Sequence, residues 1–400
     1  MRIFHVSDCY APRTGGIESQ VRDLARAQRA AGHEVHVLTA TPGRAGERGG
    51  VVEDDDGVQV HRLGARIPFD LPVNPSAVPR VRALVRDLAP DVVHVHAGVL
   101  SPFAFDGART ALAAGAPVAI TWHCMLDGAV PALRAAVQHS RWADVPVALS
   151  AVSGAAAERV ADVFDAPVSV VPNGMDLDRW APTRSEARAH VPSPATEGPQ
   201  AGAGVAPAHH ATAGTPVRCV ATMRLAPRKR GSALVGVVED ALTQLEPGAL
   251  TLEIIGDGPV RAAIERSVAR RGLTDAVTLR GRLSRDDVRA AYDDADVFLA
   301  PAALEAFGIA ALEARTAGLV VVARRGTGIE EFVTDGVDGL LVDDDAAMAR
   351  ALVTLAQDPG LLARLGAHAR EHRPRFDWAT ALEAAQGEYA RARALRGAGV

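Results

Sequence analysis

Short runs of aliphatic and β-branched residues recur along the chain, separated by longer stretches in which apolar positions fall three and four apart. In the first half, Ile3 to Val6, Glu34 to Leu38, Asp91 to Val95, Pro117 to Trp122 and Val145 to Val152 read as strands. Ile17 to Ala31 and Val78 to Leu88 read as the helices between them. The alternation restarts with Val217 to Thr222, Leu250 to Ile255, Val277 to Leu279, Asp296 to Ala300, Leu319 to Ala323 and Gly339 to Val342. Strands this apolar, alternating with helices, predict parallel sheets covered on both faces. Between Pro182 and Pro216 the pattern dissolves into Ala, Gly, Pro and Thr with His209 and His210, too poor in large apolar groups to pack.

The chain therefore reads as α/β, with an N-terminal Rossmann-like domain over 1–172, a flexible insertion over 183–216 and a second Rossmann-like domain over 217–375. Ligands of open α/β sheets bind beyond the carboxyl ends of the strands, so two such domains facing each other place the site in the cleft between them.

Composition narrows the chemistry. With 48% hydrophobic and 23% charged residues this is an ordinary globular protein. A net charge of -5 argues against general nucleic-acid binding. No apolar run reaches the ~20 residues that span a bilayer. Met1 to Val6 lead straight into a strand-like run without a leader pattern, which predicts a cytoplasmic protein. Arg80, Arg82 and Arg86 are compatible with weak peripheral attraction to an anionic membrane, although Asp87 interrupts them. Cys9, Cys124 and Cys219 are odd in number and far apart, the pattern of reduced structural thiols.

Of 43 Lys and Arg residues only Lys229 is lysine. It follows Arg224 on a loop at the end of a predicted strand, and an ammonium on a flexible stem suits a single phosphate oxygen in a tight space. The pair reads either as a diphosphate clamp or as a solvated basic run before a helix. Gly15-Gly16 before the first helix suits close approach of an anion to free backbone N–H groups, or a plain tight turn. Glu305 and Glu313 flank Phe307-Gly308-Ile309, where a strand exit becomes a helix. Carboxylates there can accept from sugar and ribose hydroxyls while backbone donors hold phosphate, or they can be a cap and a solvated helix residue.

Taken together, these motifs resemble the retaining family 4 glycosyltransferases of the GT-B fold, a family that includes the phosphatidylinositol mannosyltransferases. Glu305 to Glu313 match its glutamate pair, Arg224 and Lys229 its basic pair, Gly15-Gly16 its glycine loop and His123 its strand-end histidine. Val171 to Asp176, Ile255 to Pro259 and Gly281 to Ser284 extend the likeness along nearly the whole chain.

The resemblance implies two Rossmann-like domains facing across a cleft, with residues 376–400 forming a helix that crosses back to the first. It implies a nucleotide sugar as substrate, a UDP-sugar ahead of a GDP-sugar, and neither cofactor nor metal. Arg224 and Lys229 would neutralise the diphosphate, Gly16 would add a backbone N–H, Glu313 would take the ribose and Glu305 the transferred hexose. Phe307, Gly308 and Ile309 would contribute backbone groups, Arg282 and Leu283 would lie at the base, and His123 would contact the sugar and help place the acceptor. Cys124 stands where many relatives carry Asp or Thr. Retention would follow from front-face substitution, in which the departing phosphate takes the acceptor proton.

The acceptor itself is unknown from sequence. A cyclitol, an inositol lipid or a growing glycan all fit, with Asn74, Trp122 and Met125 to Val130 as candidate contacts. A GT-B nucleotide-sugar epimerase or hydrolase and a non-catalytic nucleotide-sugar-binding protein are the competing readings. A pyridoxal-dependent phosphorylase is rejected because the single lysine lies in the clamp. Three further features read as structural. His94 and His96 share a strand face but lack a third metal ligand. The acidic run Glu53 to Asp56 suits a solvated loop or hairpin turn. The segment from Phe376 through Tyr389 reads as an amphipathic helix.

Overall fold

The structure, a computed structural model, describes residues 1–13, 15–65, 74, 76–140, 142, 145–182 and 216–398. Except for residue 216, the stretch expected as an insertion lies outside the described residues.

In the N-terminal half the strands are β1 (Arg2–Ser7), β2 (Glu34–Thr39), β3 (Val51–Asp55), β4 (Val58–Arg62), β5 (Val92–Ala97), β6 (Val118–Trp122), β7 (Val147–Ala151) and β8 (Ser169–Val170). The helices are α1 (Gly16–Ala30), α2 (Ala77–Leu88), α3 (Pro102–Ala113), α4 (Val130–Ser140), α5 (Gly154–Phe164) and the short α6 (Leu177–Trp180). The sheet order is β3-β4-β2-β1-β5-β6-β7-β8. Every pairing in it is parallel except β3 with β4.

The C-terminal half contains β9 (Val217–Thr222), β10 (Leu250–Ile255), β11 (Val277–Gly281), β12 (Val297–Ala300), β13 (Val320–Arg324) and β14 (Gly339–Val342). They alternate with α7 (Gly231–Leu242), α8 (Arg261–Arg270), α9 (Arg285–Asp293), α10 (Ile309–Thr316), α11 (Asp345–Gln357) and α12 (Pro359–Glu371), and the chain closes with α13 (Trp378–Ala398). The second sheet runs β11-β10-β9-β12-β13-β14, parallel throughout. In both sheets the strand order reverses beside the first strand, at β1/β5 and β9/β12, the crevice where α/β sheets bind ligands.

The two faces of the first sheet differ. One carries Phe4, Val6, Val93, Val95, Ile120 and Trp122 into a large apolar core. The other begins apolar at Ile3, Val92, Ala119 and Ala148, where Ala385, Tyr389 and Ala392 of α13 cover it. Two residues further along the strands that face turns polar, with His5, His94, His96, Thr121 and Ser150 all buried. The small side chains of Ala119, Ala148 and Ala385 let α13 pack close over this face.

Crossing back of the C-terminal helix is as expected, but its character differs from the amphipathic helix that was anticipated. Its buried face is Ala381, Ala385, Glu388, Tyr389 and Ala392, which differs little in hydrophobicity from the exposed side. Its start is tied to the interdomain segment, where Met175 N donates to Phe376 O at 2.9 Å.

Of the two readings of the acidic run, a solvated loop or a hairpin turn, the structure takes the hairpin. Glu53, Asp54 and Asp55 belong to the antiparallel edge strand β3, and only Asp56-Gly57 form the turn, both at positive φ. Asp55 is held by Arg22 at 2.7 Å, by Arg26 and by the Tyr10 hydroxyl at 3.0 Å. These contacts outweigh burial and hold its carboxyl well below the usual range.

All three cysteines are free. Burial pushes the Cys9 thiol up to about 11 and Cys124 up to about 12, where neither is a ready nucleophile. No described helix is long and apolar enough to cross a membrane.

Candidate active site

The loop after β9 is fixed by its neighbour. Met223 N donates to Ile255 O at 3.0 Å, Leu225 N to Asp257 O at 2.9 Å and Val260 N to Leu225 O at 3.1 Å. Gly256 has φ +132°, and a Cβ there would lie 1.9 Å from Met223 O, so only glycine allows the two loops to touch. This stapling leaves Arg224 exposed, with no ion-pair partner among the described residues. A single 3₁₀ turn over Pro227–Lys229 follows, ended by Arg230 at φ +58°. It aims Lys229 at the next crevice wall, where Nζ lies 2.5 Å from Glu305 Oε2.

Glu305 sits on the exit loop of β12. Gly308, at φ +90°, is the N-cap of α10 and brings no side-chain cap, so the first N–H groups of the helix are left open toward the cleft. A Cβ on Gly308 would come 2.6 Å from the Ile329 side chain. The Phe307 ring turns inward and meets Phe332 and Phe376 with centroids 5.6 and 5.4 Å away, which leaves only its backbone for a ligand. Gly328 N donates to Glu305 O at 2.8 Å, and a Cβ on Gly328 would lie 2.0 Å from Ala306 O. Gly328 thus holds the glutamate loop in place. Sequence reading missed it, and its one signal was the Gly-Thr-Gly spacing after β13.

Glu313 lies one turn further into α10, half-buried and without a hydrogen-bonded partner among the described residues. Burial pushes its carboxyl up to about 8, against the opposing pull of Arg285 and Arg179. Arg282 is exposed, 3.9 Å from Asp257 Oδ2, and Leu283 is partly buried at the start of the turn into α9.

The other lip of the cleft comes from the first sheet. Gly16 opens α1, and a Cβ there would lie 3.7 Å from Ile309 Cδ1, so the glycine loop of one domain faces the α10 terminus of the other. The lips are joined at their edges by Arg285 to Asp23 at 3.0 Å and by Gly154 N to Glu331 Oε1 at 2.7 Å. His123 extends β6, with its N–H on Ala97 O at 2.9 Å and its ring Nε2 3.0 Å from His96 Nδ1. Burial lowers His123 to about 4, so it is a neutral imidazole at physiological pH. Arg228, which sequence reading passed over, is close enough to Cys124 to offset part of the burial effect on that thiol.

Three acceptor-side expectations are corrected. Trp122 is 1% exposed and packs between Phe105 and Phe164, so it belongs to the core. Asn74 is buried and closes a turn, accepting from Ser76 N at 3.1 Å and from its hydroxyl at 2.6 Å while donating to Leu63 O. Met125 and Leu126 are buried as well, Ala129 and Val130 are partly buried, and only Asp127 and Gly128 of this segment are exposed. A fourth correction concerns the histidine pair. His5 on β1 supplies a third imidazole beside His94 and His96, with one ring nitrogen from each within 4.8 Å of the others.

Comparison with known proteins agrees with this architecture. Residues 14–179 match the model for Glycosyltransferase Family 4, and residues 216–358 match that for Glycosyl transferases group 1. The D-inositol 3-phosphate glycosyltransferase of Streptomyces bingchenggensis is 37% identical over 131 residues, which span 32% of this chain and 29% of that protein. A GDP-mannose-dependent alpha-(1-6)-phosphatidylinositol monomannoside mannosyltransferase of Mycobacterium tuberculosis is 27% identical over 95% of this chain and 94% of its own. Among solved structures, Anabaena HepE in complex with UDP and glucose superposes with a TM-score of 0.70 at 18% identity, covering 97% of this chain and 99% of that one. This last likeness is one of fold.

Proposed function

We propose, for a chain that is a family 4 glycosyltransferase of the GT-B fold, that it moves a hexosyl or N-acetylhexosaminyl group from a nucleoside diphosphate sugar to an acceptor hydroxyl with retention of configuration. The observation that carries this reading is the convergence on one crevice of Arg224, the Lys229–Glu305 pair and the uncapped start of α10, faced by Gly16 at the opposing lip.

Each group has a chemical task. Arg224 and Lys229 are fixed cations where charge grows on the departing diphosphate, and they supply electrostatic stabilisation without needing a metal. Glu305, oriented by Lys229, accepts from hydroxyls of the transferred sugar, and Glu313 accepts from the ribose. Backbone N–H groups of Gly16 and of residues 307–309 complete the anion site, and the base stacks near Arg282 and Leu283. His123 holds the sugar on the acceptor side. As the glycosidic bond lengthens, the leaving phosphate takes the acceptor proton on the same face, so contacts to that phosphate strengthen in the transition state.

A uridine donor is favoured over a guanosine one. HepE was crystallised with UDP and glucose, whereas the mycobacterial relative is named as GDP-mannose-dependent. A cyclitol such as an inositol phosphate, or its lipid, is the acceptor class that the relatives' names support. The test is release of nucleoside diphosphate from UDP- and GDP-sugars, with and without inositol 1- or 3-phosphate. Acceptor-dependent release with an α-linked product supports the proposal, while release of free sugar or of an epimer regardless of acceptor overturns it.

A further inference from the structure

Beneath the cleft, a continuous chain of polar side chains runs from the crossover helix to His123. Gln28 Nε2 lies 2.8 Å from the Tyr389 hydroxyl, and Gln28 Oε1 lies 2.7 Å from His5 Nε2. His5 Nδ1 is 2.9 Å from His96 Nε2, and His96 Nδ1 is 3.0 Å from His123 Nε2. A branch leaves Tyr389 for His94 Nδ1 at 2.9 Å and continues from His94 Nε2 to Thr121 at 2.7 Å and on to Ser150 at 2.8 Å. Strand alternation explains the assembly, since His94 and His96 are two residues apart on β5, His5 pairs with His94 in register on β1, and His96 pairs with Thr121 on β6.

Three imidazoles in one place suggest a metal nest. Here, however, all six ring nitrogens of His5, His94 and His96 already meet a polar partner at 2.7 to 3.0 Å. No carboxylate belongs to the cluster to offset a dication. The arrangement is that of a wire.

Burial lowers His5, His94, His96 and His123, so all four rings are neutral and each offers one donor and one acceptor. One choice at the end of the chain therefore sets every proton along it. With Gln28 Oε1 toward His5, as placed, His5 is protonated at Nε2 and bare at Nδ1. His96 must then donate from Nε2 and accept at Nδ1, and His123 must donate from Nε2. In the branch, Gln28 donates to Tyr389, Tyr389 to His94, His94 to Thr121, Thr121 to Ser150, and Ser150 to Ile120 O at 3.3 Å. Every proton is used once. Turning the Gln28 amide over would reverse the whole chain, but a 2.7 Å separation suits N–H to a carbonyl oxygen better than N–H to a ring nitrogen.

We propose that Gln28, His5 and His96 are positioning residues that lock His123 in its Nε2–H tautomer, leaving Nδ1 as the acceptor for a hydroxyl of the bound sugar or acceptor. The assignment of His123 to substrate rests on the transferase reading above, whereas the tautomer lock does not. Through Tyr389 the lock also depends on docking of α13, so the crossover helix acts on the site without touching substrate.

Nitrogen-15 NMR of histidine-labelled protein, with His123 identified by the signals lost in His123→Ala, tests the lock directly. The expected wild-type spectrum has His123 protonated at Nε2 and bare at Nδ1. In Gln28→Leu the two tautomers should mix and kcat should fall about tenfold or more, as for loss of other orienting partners, with KM for the nucleotide sugar nearly unchanged. Gln28→Glu accepts from both His5 Nε2 and the Tyr389 hydroxyl, so the branch through His94 reverses while the path through His5 and His96 keeps its direction, and the variant should restore the His123 tautomer and most of kcat. A wild-type His123 protonated at Nδ1 overturns the proposal, and so does a folded Gln28→Leu with unchanged spectrum and kcat. The wild-type spectrum decides the matter even if Gln28→Leu fails to fold. If no transfer is detected, an Nε2–H His123 still supports the lock, and only the transferase reading fails.

Discussion

The two lips of the cleft are built on opposite principles. The C-terminal lip presents charge on loops, with Arg224 exposed and unpaired among the described residues and Lys229 tied only to Glu305. The N-terminal lip presents a neutral imidazole at the end of a strand, backed by further neutral rings that are almost wholly buried. A diphosphate carries charge and gains more during the reaction, so its partners must keep theirs, which requires solvent access and a place on loops. A sugar hydroxyl carries none, and an imidazole that faces it needs a fixed tautomer instead, which a buried hydrogen-bonded chain provides.

The comparison breaks most visibly at Lys229. Lys229→Ala should weaken nucleoside diphosphate binding by ~2 kcal/mol or more and lower kcat/KM by roughly 10²- to 10³-fold, read by calorimetry and initial rates. If every nucleotide binds wild type and variant alike, the charged lip is not the donor site. Next in size is Gly308→Val, which places a β-branched residue at φ +90° against Ile329. It should cost about 1–3 kcal/mol in stability and abolish donor binding by deforming the start of α10, visible in thermal unfolding and in the same calorimetry.

The neutral lip should reveal itself in acid. His5, His61 and His123 titrate near 4 in the folded chain, and His94 and His96 are lowered further, all from burial ahead of any charge effect. Between the ordinary histidine pKa of 6.5 and about 4, the unfolded chain binds protons that the folded chain excludes, so stability is full above that window and falls as pH drops through it. His5 alone is worth roughly 3 kcal/mol. Asp8 and Glu313, raised by burial to about 6 and about 8, act in the opposite sense, but two carboxyls face five rings. Tm should therefore fall steeply from pH 6.5 to 4.5, and a flat profile would count against buried neutral rings.

The smallest effect sharpens the charged side. Burial raises the Glu313 carboxyl to about 8, and in the proposed role acceptance from ribose hydroxyls would favour its ionised form. Donor binding near pH 7 should then release up to one proton, detected as a dependence of calorimetric enthalpy on buffer ionisation. Glu313→Gln should remove that dependence.

The residues that meet at the charged lip stood out in local sequence, because the proposed clamp is made of loop residues: one lysine in an arginine-rich chain, and two glutamates around Phe-Gly-Ile. The neutral lip was not. His5 is 89 residues from His94, the difference of their positions, and only the pairing of β1 with β5 makes them neighbours. Local pattern also misread Trp122, whose side chain points into the core, and Asn74, whose polar groups are used up in closing a turn. The edge strand at Glu53 to Asp55 was hidden because the Asp55 and Glu53 carboxylates meet Arg22, Arg26 and Arg62 on other elements.

By itself, then, the sequence determined two doubly wound, mainly parallel sheets, the basic pair and the glutamate pair. Runs of β-branched residues between helical periods have few other ways to bury themselves, and glycine and charge at strand ends act over a few residues. Tertiary structure alone decided which strand faces would meet, that the crossover helix would deliver Tyr389 to the buried histidines, and that Gly328 would brace the glutamate loop. Those outcomes depend on register and on close packing between segments distant along the chain, and a one-residue slip of β1 against β5 would turn His5 away from the face that carries His94 and His96.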